Sequence, residues 1–342
     1  MSVTGEHSTA LEQLRQAAEL GDAKAQDGLG LRYSRAEGVQ QDHKQALQWY
    51  RLSAEQGCHW AQYHLGYAYD MGHGVQQNPA EAAKWYRLAA EQGNLEAQND
   101  LGMCYQQGHG VPKDVREAVR LYRAAAEQGH DGAQFNLALC YREGAGVPQD
   151  AGEAARWLRL AAHQGVPEAQ NNLGSCYREG CGVPKDAAQA LHYYRLAAEQ
   201  GHPLGEFNLG WCYLNGFGIA EDASEAAIHF RRAAESGEPE AQAQYGACLL
   251  HGNGVPQDDA EAVSWYRKAA EQGEVNGQYA LGLCYAGGDG VAQDYDTARK
   301  WLTLAADQNC EEAASALRQL DMVPSKSPWR RLLRSLRPWR GA

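Results

Sequence analysis

No run of 18 apolar residues occurs in this 342-residue chain, so a membrane-spanning helix is not expected. Phenylalanine is scarce, and no segment alternates apolar and polar residues for long enough to suggest a strand. Residues 1–20 lack a basic start followed by an apolar run, so no secretory signal is expected. A cytoplasmic location follows as an expectation, unless a leader has been lost. Basic charge is also short. Lys and Arg number 31 against 43 Asp and Glu, leaving a net charge of -12. The shortage is uneven: six basic residues and no acidic ones follow Asp321, so residues 1–321 carry -18. An acidic body argues against a nucleic-acid partner, because non-specific binding depends on neutralising phosphates. The twelve histidines form no HExxH or Cys-His metal spacing. No Ser-His-Asp or paired-carboxylate arrangement is legible. No catalytic residue, metal or cofactor is therefore assigned.

What is abundant points one way. Ala, Leu, Glu, Gln and Arg dominate, which favours helix. Apolar content of 44% with 22% charged residues reads as soluble and folded. The phrase Ala-Glu-Gln-Gly recurs at 54–57, 90–93, 126–129, 198–201 and 270–273, always 36 residues or a multiple of 36 apart. Setting the register by it gives eight repeats without insertion: 22–57, 58–93, 94–129, 130–165, 166–201, 202–237, 238–273 and 274–309. Residues 1–21 and 310–321 read as lone capping helices, and 322–342 as a tail outside the repeat.

Each repeat reads as two helices and a loop. In 94–129 the helices are expected near Leu95–Gln107 and Val115–Gln128. Gly108 ends the first by adopting positive φ, and Pro112 blocks its continuation. Asp114 caps the second, with Glu117 placed to complete a capping box. The same pair recurs as Asp150/Glu153, Asp186/Gln189, Asp222/Glu225 and Asp258/Glu261. Expected core columns are Leu65, Leu101, Leu137, Leu173 and Leu209; Tyr33, Tyr69, Tyr105, Tyr141, Tyr177, Tyr213 and Tyr285; and, in the second helices, Trp49, Trp85, Trp157, Trp265 and Trp301 followed by Tyr50, Tyr86, Tyr122, Tyr194 and Tyr266. The Gly-x-Gly-Val loops lack a following Lys-Ser/Thr, so they read as turns rather than phosphate cradles. Cys104, Cys140, Cys176, Cys212, Cys248 and Cys284 occupy one column. Stacked helices lie about 8–10 Å apart, beyond the roughly 7 Å Cα limit for a disulfide, so these cysteines are expected as buried fillers. Cys58, Cys181 and Cys310 are the more accessible thiols.

The consensus Ala-Gln-x-x-Leu-Gly-x-x-Tyr-x-x-Gly-x-Gly-Val-x-x-Asp-x-x-x-Ala-x-x-Trp-Tyr-Arg-x-Ala-Ala-Glu-Gln-Gly resembles the Sel1-like repeats, relatives of tetratricopeptide repeats, over 288 of 342 residues. The resemblance implies an all-α, right-handed α/α superhelical solenoid used as an adaptor or scaffold, common in bacteria. Three repeats depart from the pattern. The first has Ala36 for a loop glycine, the sixth has Gly205-Glu206 for Ala-Gln and His229 for Trp, and the eighth ends in Asn309. The short intra-repeat cysteine pairing of secreted relatives is absent, so their β-lactam-like ligands are not carried over.

In the related folds the first helices line the concave face. The columns that the resemblance maps there differ from copy to copy while the core columns do not. They hold Trp60, Tyr63, Tyr67 and Met71 in the second repeat and Leu204, Phe207, Trp211 and Leu214 in the sixth. Between these patches lie Glu96, Asn99, Met103 and Gln106, then Phe135, Leu139 and Arg142, then Glu168, Asn171, Ser175 and Arg178. One reading is two aromatic patches separated by a polar stretch, suited to an extended or helical peptide. The other is that these side chains only pack against the next repeat.

The tail has its own pattern. After a Pro- and Ser-rich linker, Trp329, Leu332, Leu333 and Leu336 fall at i, i+3, i+4 and i+7, with Arg330, Arg331, Arg334 and Arg337 on the other positions. This is the signature of a short basic amphipathic helix, ended by Pro338. An anionic membrane surface, a groove in a partner, the acidic body of the same chain and a disordered end are all compatible with it. The leading functional expectation is a non-enzymatic scaffold holding an unknown protein or peptide on its concave face. The alternatives are a hydrolase or β-lactam-binding enzyme of the Sel1-repeat type, and an adaptor recruited to membranes by the tail.

Overall fold

The structure, a computed structural model, describes residues 3–321. The chain divides into two compact units, Met1–Val166 and Pro167–Ala342. The first contains α1 (Val3–Glu19), α2 (Ala23–Arg35), α3 (His43–Glu55), α4 (His59–Met71), α5 (Pro79–Glu91), α6 (Leu95–Gln107), α7 (Val115–Ala126), α8 (Asp131–Glu143) and α9 (Ala151–His163). The second contains α10 (Pro167–Glu179), α11 (Ala187–Glu199), α12 (Pro203–Asn215), α13 (Ala223–Glu235), α14 (Pro239–His251), α15 (Asp259–Glu271), α16 (Val275–Gly287), α17 (Tyr295–Asp307) and α18 (Glu311–Asp321). No strand occurs among the described residues. Within each unit, helices adjacent in the chain pack together. Both units are therefore all-α stacks of helical hairpins, the architecture of a solenoid. The tail residues Trp329, Arg330, Arg331, Leu332, Leu333, Arg334, Leu336 and Arg337 lie outside the described residues.

The hairpin of α6 and α7 shows how the sequence sets the geometry. Asn94 opens α6 by accepting from Ala97 N at 2.8 Å. Gly108 closes it at φ +80°, its N–H donating to Cys104 O at 2.8 Å. Asp114 then caps α7, accepting from Arg116 N and Glu117 N at 3.0 and 3.1 Å. The capping box itself does not form. The Asp114 amide donates to Tyr105 O at 2.9 Å, in the preceding helix, so no donor is left for the Glu117 carboxylate. Glu117 instead takes two bonds from Arg120. The amides of Asp150, Asp186, Asp222 and Asp258 are spent in the same way, on Tyr141, Tyr177, Tyr213 and Leu249. The half of the box that survives is the Asp side chain, and the other half becomes a hydrogen bond that clamps the hairpin.

Packing follows the columns, with two adjustments. The leucine column is buried throughout, and Tyr86, Tyr122 and Tyr194 are completely enclosed. The first-helix tyrosines are only half-buried. Their rings pack inward while their hydroxyls accept from arginines of the preceding repeat: Arg51 to Tyr69 at 2.8 Å, Arg87 to Tyr105 at 2.9 Å, Arg123 to Tyr141 at 3.0 Å and Arg267 to Tyr285 at 2.9 Å. A buried phenol needs a partner, and placing the hydroxyl at the edge supplies one. The tryptophans of the second helices are likewise half-buried, except Trp157. All nine cysteines are free, and five of the six in the column are buried. The two departures at helix ends keep the backbone of the glycines they replace, with Ala36 at φ +59° and Asn309 at φ +67°.

Candidate interaction surface

The faces of the first helices turned away from the second helices carry most of the residues singled out by the columns. In the first unit, α4 buries Ala61, Leu65 and Ala68. Its other face leaves Trp60 (45% exposed), Tyr67 (41%) and Met71 (51%) open. Met103, one repeat after Tyr67, is exposed too. The column therefore runs Leu31, Tyr67, Met103, Leu139, apolar through four repeats. By its neighbours in the stripe Met103 belongs to the polar stretch, yet in the fold it continues the apolar line, because residues 36 apart occupy equivalent places on stacked helices.

Tyr63 behaves differently from its neighbours. It is half-buried and packs on the core cluster built around Tyr86, with ring centroids 5.8 Å apart. Trp60 meets Tyr63 edge-on at 6.3 Å and lies against His64 at 6.2 Å. Tyr67 touches His73, which stacks on His43 at 4.8 Å. The Tyr63 hydroxyl lies beside the Asp100 carboxyl, whose pKa is pushed up by burial. Burial likewise raises the Tyr63 phenol far above its ordinary value. Farther along the unit Phe135 is half-buried, and Arg142 is exposed and pairs with Glu143 at 3.2 Å.

Beneath this face runs a polar ladder that column reading missed. His64 Nδ1 lies 2.8 Å from Asp27 Oδ1. Tyr63 stands beside Asp100, and Asn136 Nδ2 donates to Asn99 Oδ1 at 2.9 Å. In the second unit Asn208 Nδ2 donates to Asn171 Oδ1 at 2.8 Å. Every rung joins residues 37 apart, one more than the period. A search restricted to columns 36 apart cannot see it; pairing each column with its neighbour in the next repeat would have. These bonds tie successive first helices together and fix the face that the apolar residues occupy.

In the second unit α12 supplies the corresponding residues. Leu204 is exposed. Phe207, Trp211 and Leu214 are half-buried against the core of that unit. Phe207 lies 5.6 Å from Phe230, and Trp211 lies 5.5 Å from Phe217. The Arg178 guanidinium sits 5.3 Å over the Trp211 ring, donates to Asn208 at 3.3 Å and pairs with Glu179 at 2.9 Å. The two readings of the stripe thus divide by residue. Packing accounts for much of Tyr63, Phe207, Trp211 and Leu214, and leaves Trp60, Tyr67, Met71 and Leu204 without such an explanation. Second helices also expose Leu52, Leu88, Leu160, Ile228 and Leu304, but one to a helix. Single exposed apolar side chains are ordinary, whereas grouped ones call for a cause.

Comparison with known proteins fits this geometry. The family described as Sel1 repeat matches residues 23–58, 61–94, 95–130, 132–166, 167–202, 203–238, 239–274 and 275–310. A protective antigen present in uropathogenic Escherichia coli strains, displaying an SLR fold, is 40% identical with a TM-score of 0.79, over 91% of this chain and 67% of that one. A Sel1 repeat protein from Oxalobacter formigenes is 38% identical with a TM-score of 0.66, over 91% of this chain and 90% of its own. A search of curated proteins finds no match. Eight successive matches, two similar structures and the hairpin stacks described above agree: this chain belongs to the Sel1 repeat family.

Proposed function

We propose that the chain is a non-enzymatic scaffold that holds a protein segment on its first-helix faces, with Trp60, Tyr67, Met71 and Met103 as the anchoring patch of the first unit. Sel1 and related repeats generally mediate contacts between proteins, and their members are typically non-enzymatic. The observation that carries the reading is the grouping of four large exposed apolar side chains on α4 and α6, three of them on α4, where no other described helix exposes more than one. Aromatic and methionine side chains in a cluster are the usual anchors of protein interfaces. Columns open along the stack suit an apolar segment docked across several repeats. Phe135, Arg142 and Arg178 extend the surface as polar or partly buried neighbours, and Leu204, Phe207, Trp211 and Leu214 form a counterpart in the second unit.

The test is a pull-down with quantitative mass spectrometry comparing the native chain with Trp60→Ser/Tyr67→Ser and with Leu52→Ser/Leu88→Ser. All four positions are exposed, so helicity should be unchanged in both variants. The expected outcome is loss of specific partners from the first variant alone, by tenfold or more if two hot-spot side chains each contribute about 1–2 kcal/mol. Equal partner profiles in all three proteins would remove the patch from the binding surface.

A further inference from the structure

The first-helix face of the second unit combines an apolar strip with an acidic edge. The strip comprises Leu204, Phe207, Trp211 and Leu214 of α12, Leu250 of α14 and Leu283 of α16, all exposed or half-buried. Glu168, Glu240 and Glu312 share the column of Leu204, 36 or 72 residues apart, and all three are exposed. Glu238 and Glu274 stand beside them at the starts of α14 and α16. Burial raises both carboxyls, and the charge of Glu240 pushes the same way. Among the described residues, the ion pairs of this unit engage other carboxylates, namely Glu179, Glu206, Glu225, Glu235 and Asp296. Glu274 spends its carboxylate on the N–H groups of Asn276 and Gly277 at the start of α16, so Glu168, Glu238, Glu240 and Glu312 are the carboxylates that present charge on this face.

Charge is distributed accordingly. Residues 1–166 contain 20 acidic and 15 basic side chains, a net of -5, whereas residues 167–321 contain 23 and 10, a net of -13. The segment that follows carries six basic residues and no acidic one. Four of its apolar residues, Trp329, Leu332, Leu333 and Leu336, have the spacing of one helical stripe with arginines between them, and Trp339 follows after Pro338.

We propose that the apolar strip of the second unit is the docking site of the chain's own residues 329–340. Trp329, Leu332, Leu333 and Leu336 would cover the strip, and Arg330, Arg331, Arg334, Arg337 and Arg340 would meet the glutamate edge. Eight residues from Asp321 to Trp329 span roughly 27 Å when extended. Neighbouring packed helices lie about 8–10 Å apart, so α16, α14 and α12 fall within that reach of α18. The complement is chemical as well as geometric. Opposite charges flank matching apolar stripes, and burying the strip would cover Leu204, whose exposure the packing of the unit does not explain. The inference stands apart from the binding role of the first unit.

Limited trypsin digestion of the full-length protein, read by mass spectrometry at the bonds after Arg330, Arg331 and Arg334, tests it. A docked tail is cut only from its open form, so cleavage should be about tenfold or more slower than in a synthetic 322–342 peptide at the same concentration. That protection should not depend on protein concentration. It should be lost in Leu204→Ser and in Glu240→Lys/Glu312→Lys, two variants at exposed positions whose helicity should match the native chain. Cleavage as fast as in the free peptide would overturn the proposal. So would protection that survives both variants, protection that grows with protein concentration and so reports a second copy, or protection that arises only with phosphatidylserine vesicles and so reports a membrane.

Discussion

Gly110 and Gly93 both have positive φ, at +72° and +85°, yet the structure asks different things of them. Around Gly93 a Cβ would meet nothing within 4 Å. Replacing it with Ala should cost only the left-handed backbone penalty, about 1–2 kcal/mol. Around Gly110 a Cβ would stand 2.1 Å from Pro79 O, at the start of the second helix of the preceding repeat. Gly110→Ala must therefore separate two repeats as well as strain a turn, and should cost about 3 kcal/mol or more. Urea unfolding of the two variants, followed by circular dichroism, checks the order. The sequence makes both glycines legible as turn residues, since the Gly110 position is Gly in all eight repeats and the Gly93 position in seven, the former two before Pro112 and the latter beside Asn94. It does not separate them, because contact with the previous repeat is a fact of stacking, and spacing within one loop carries no trace of it. Trp60 and Tyr63 show the same limit. Three positions apart on one helix, they read as one stripe. Yet Tyr63 is drawn down onto Tyr86 and Trp60 is not.

At the scale of the helix, the two helices of a hairpin are tied by a repeated amide pair. Gln56 Nε2 donates to Gln26 Oε1 at 2.7 Å, and Gln92 to Gln62 at 2.7 Å. In the second unit Gln200 donates to Gln170 at 2.8 Å and Gln272 to Gln242 at 2.9 Å. The sixth repeat replaces this pair with Glu206 and Ser236. There the buried Glu206 carboxylate faces His229 Nδ1 at 2.5 Å, with Arg232 at 3.7 Å. His229 stacks on Tyr213, 5.5 Å between centroids, in the place five other repeats give to Trp. The departures at 206 and 229 were visible in the sequence as two unrelated exceptions. Their meeting was not, because they lie 23 residues apart on different helices. The substitutions belong together: His229→Trp alone leaves a buried carboxylate short of its partner and should cost about 3 kcal/mol or more. Glu206→Gln/Ser236→Gln/His229→Trp restores the pattern of the other repeats and should recover most of that loss. Hydrogen exchange of α12 and α13 in the single and triple variants measures the coupling.

For the molecule as a whole, the fold class was legible because one period runs through the chain uninterrupted. The same uniformity hid the division between the units. The boundary at Val166 and Pro167 falls inside a run of equivalent repeats, and no shift of composition marks it. The imbalance of charge becomes visible only when the chain is cut there. With a net of -13 in residues 167–321 against -5 in residues 1–166, the helices of the second unit carry more self-repulsion. Raising salt from about 20 to 300 mM shortens the screening length from roughly 20 Å to 6 Å. Slow hydrogen exchange in α10–α18 should therefore gain more protection from salt than exchange in α2–α9, and equal gains would show that the excess charge is locally compensated.

The clasp between Gly110 and Pro79 has a further meaning. The corresponding loop glycines Gly74, Gly146, Gly254 and Gly290 meet the start of the preceding second helix through the same backbone atoms. This part of the joint between repeats is thus written in main chain and in a glycine that every copy shares, so it is indifferent to which copy comes next. A unit of 36 residues lost, gained or exchanged within a stack would meet the same backbone joint, leaving only the side-chain rungs, which differ from copy to copy, to be matched. Copy number then becomes a quantity that inheritance can change in one step, lengthening or shortening the binding face while each exposed column remains free to diverge.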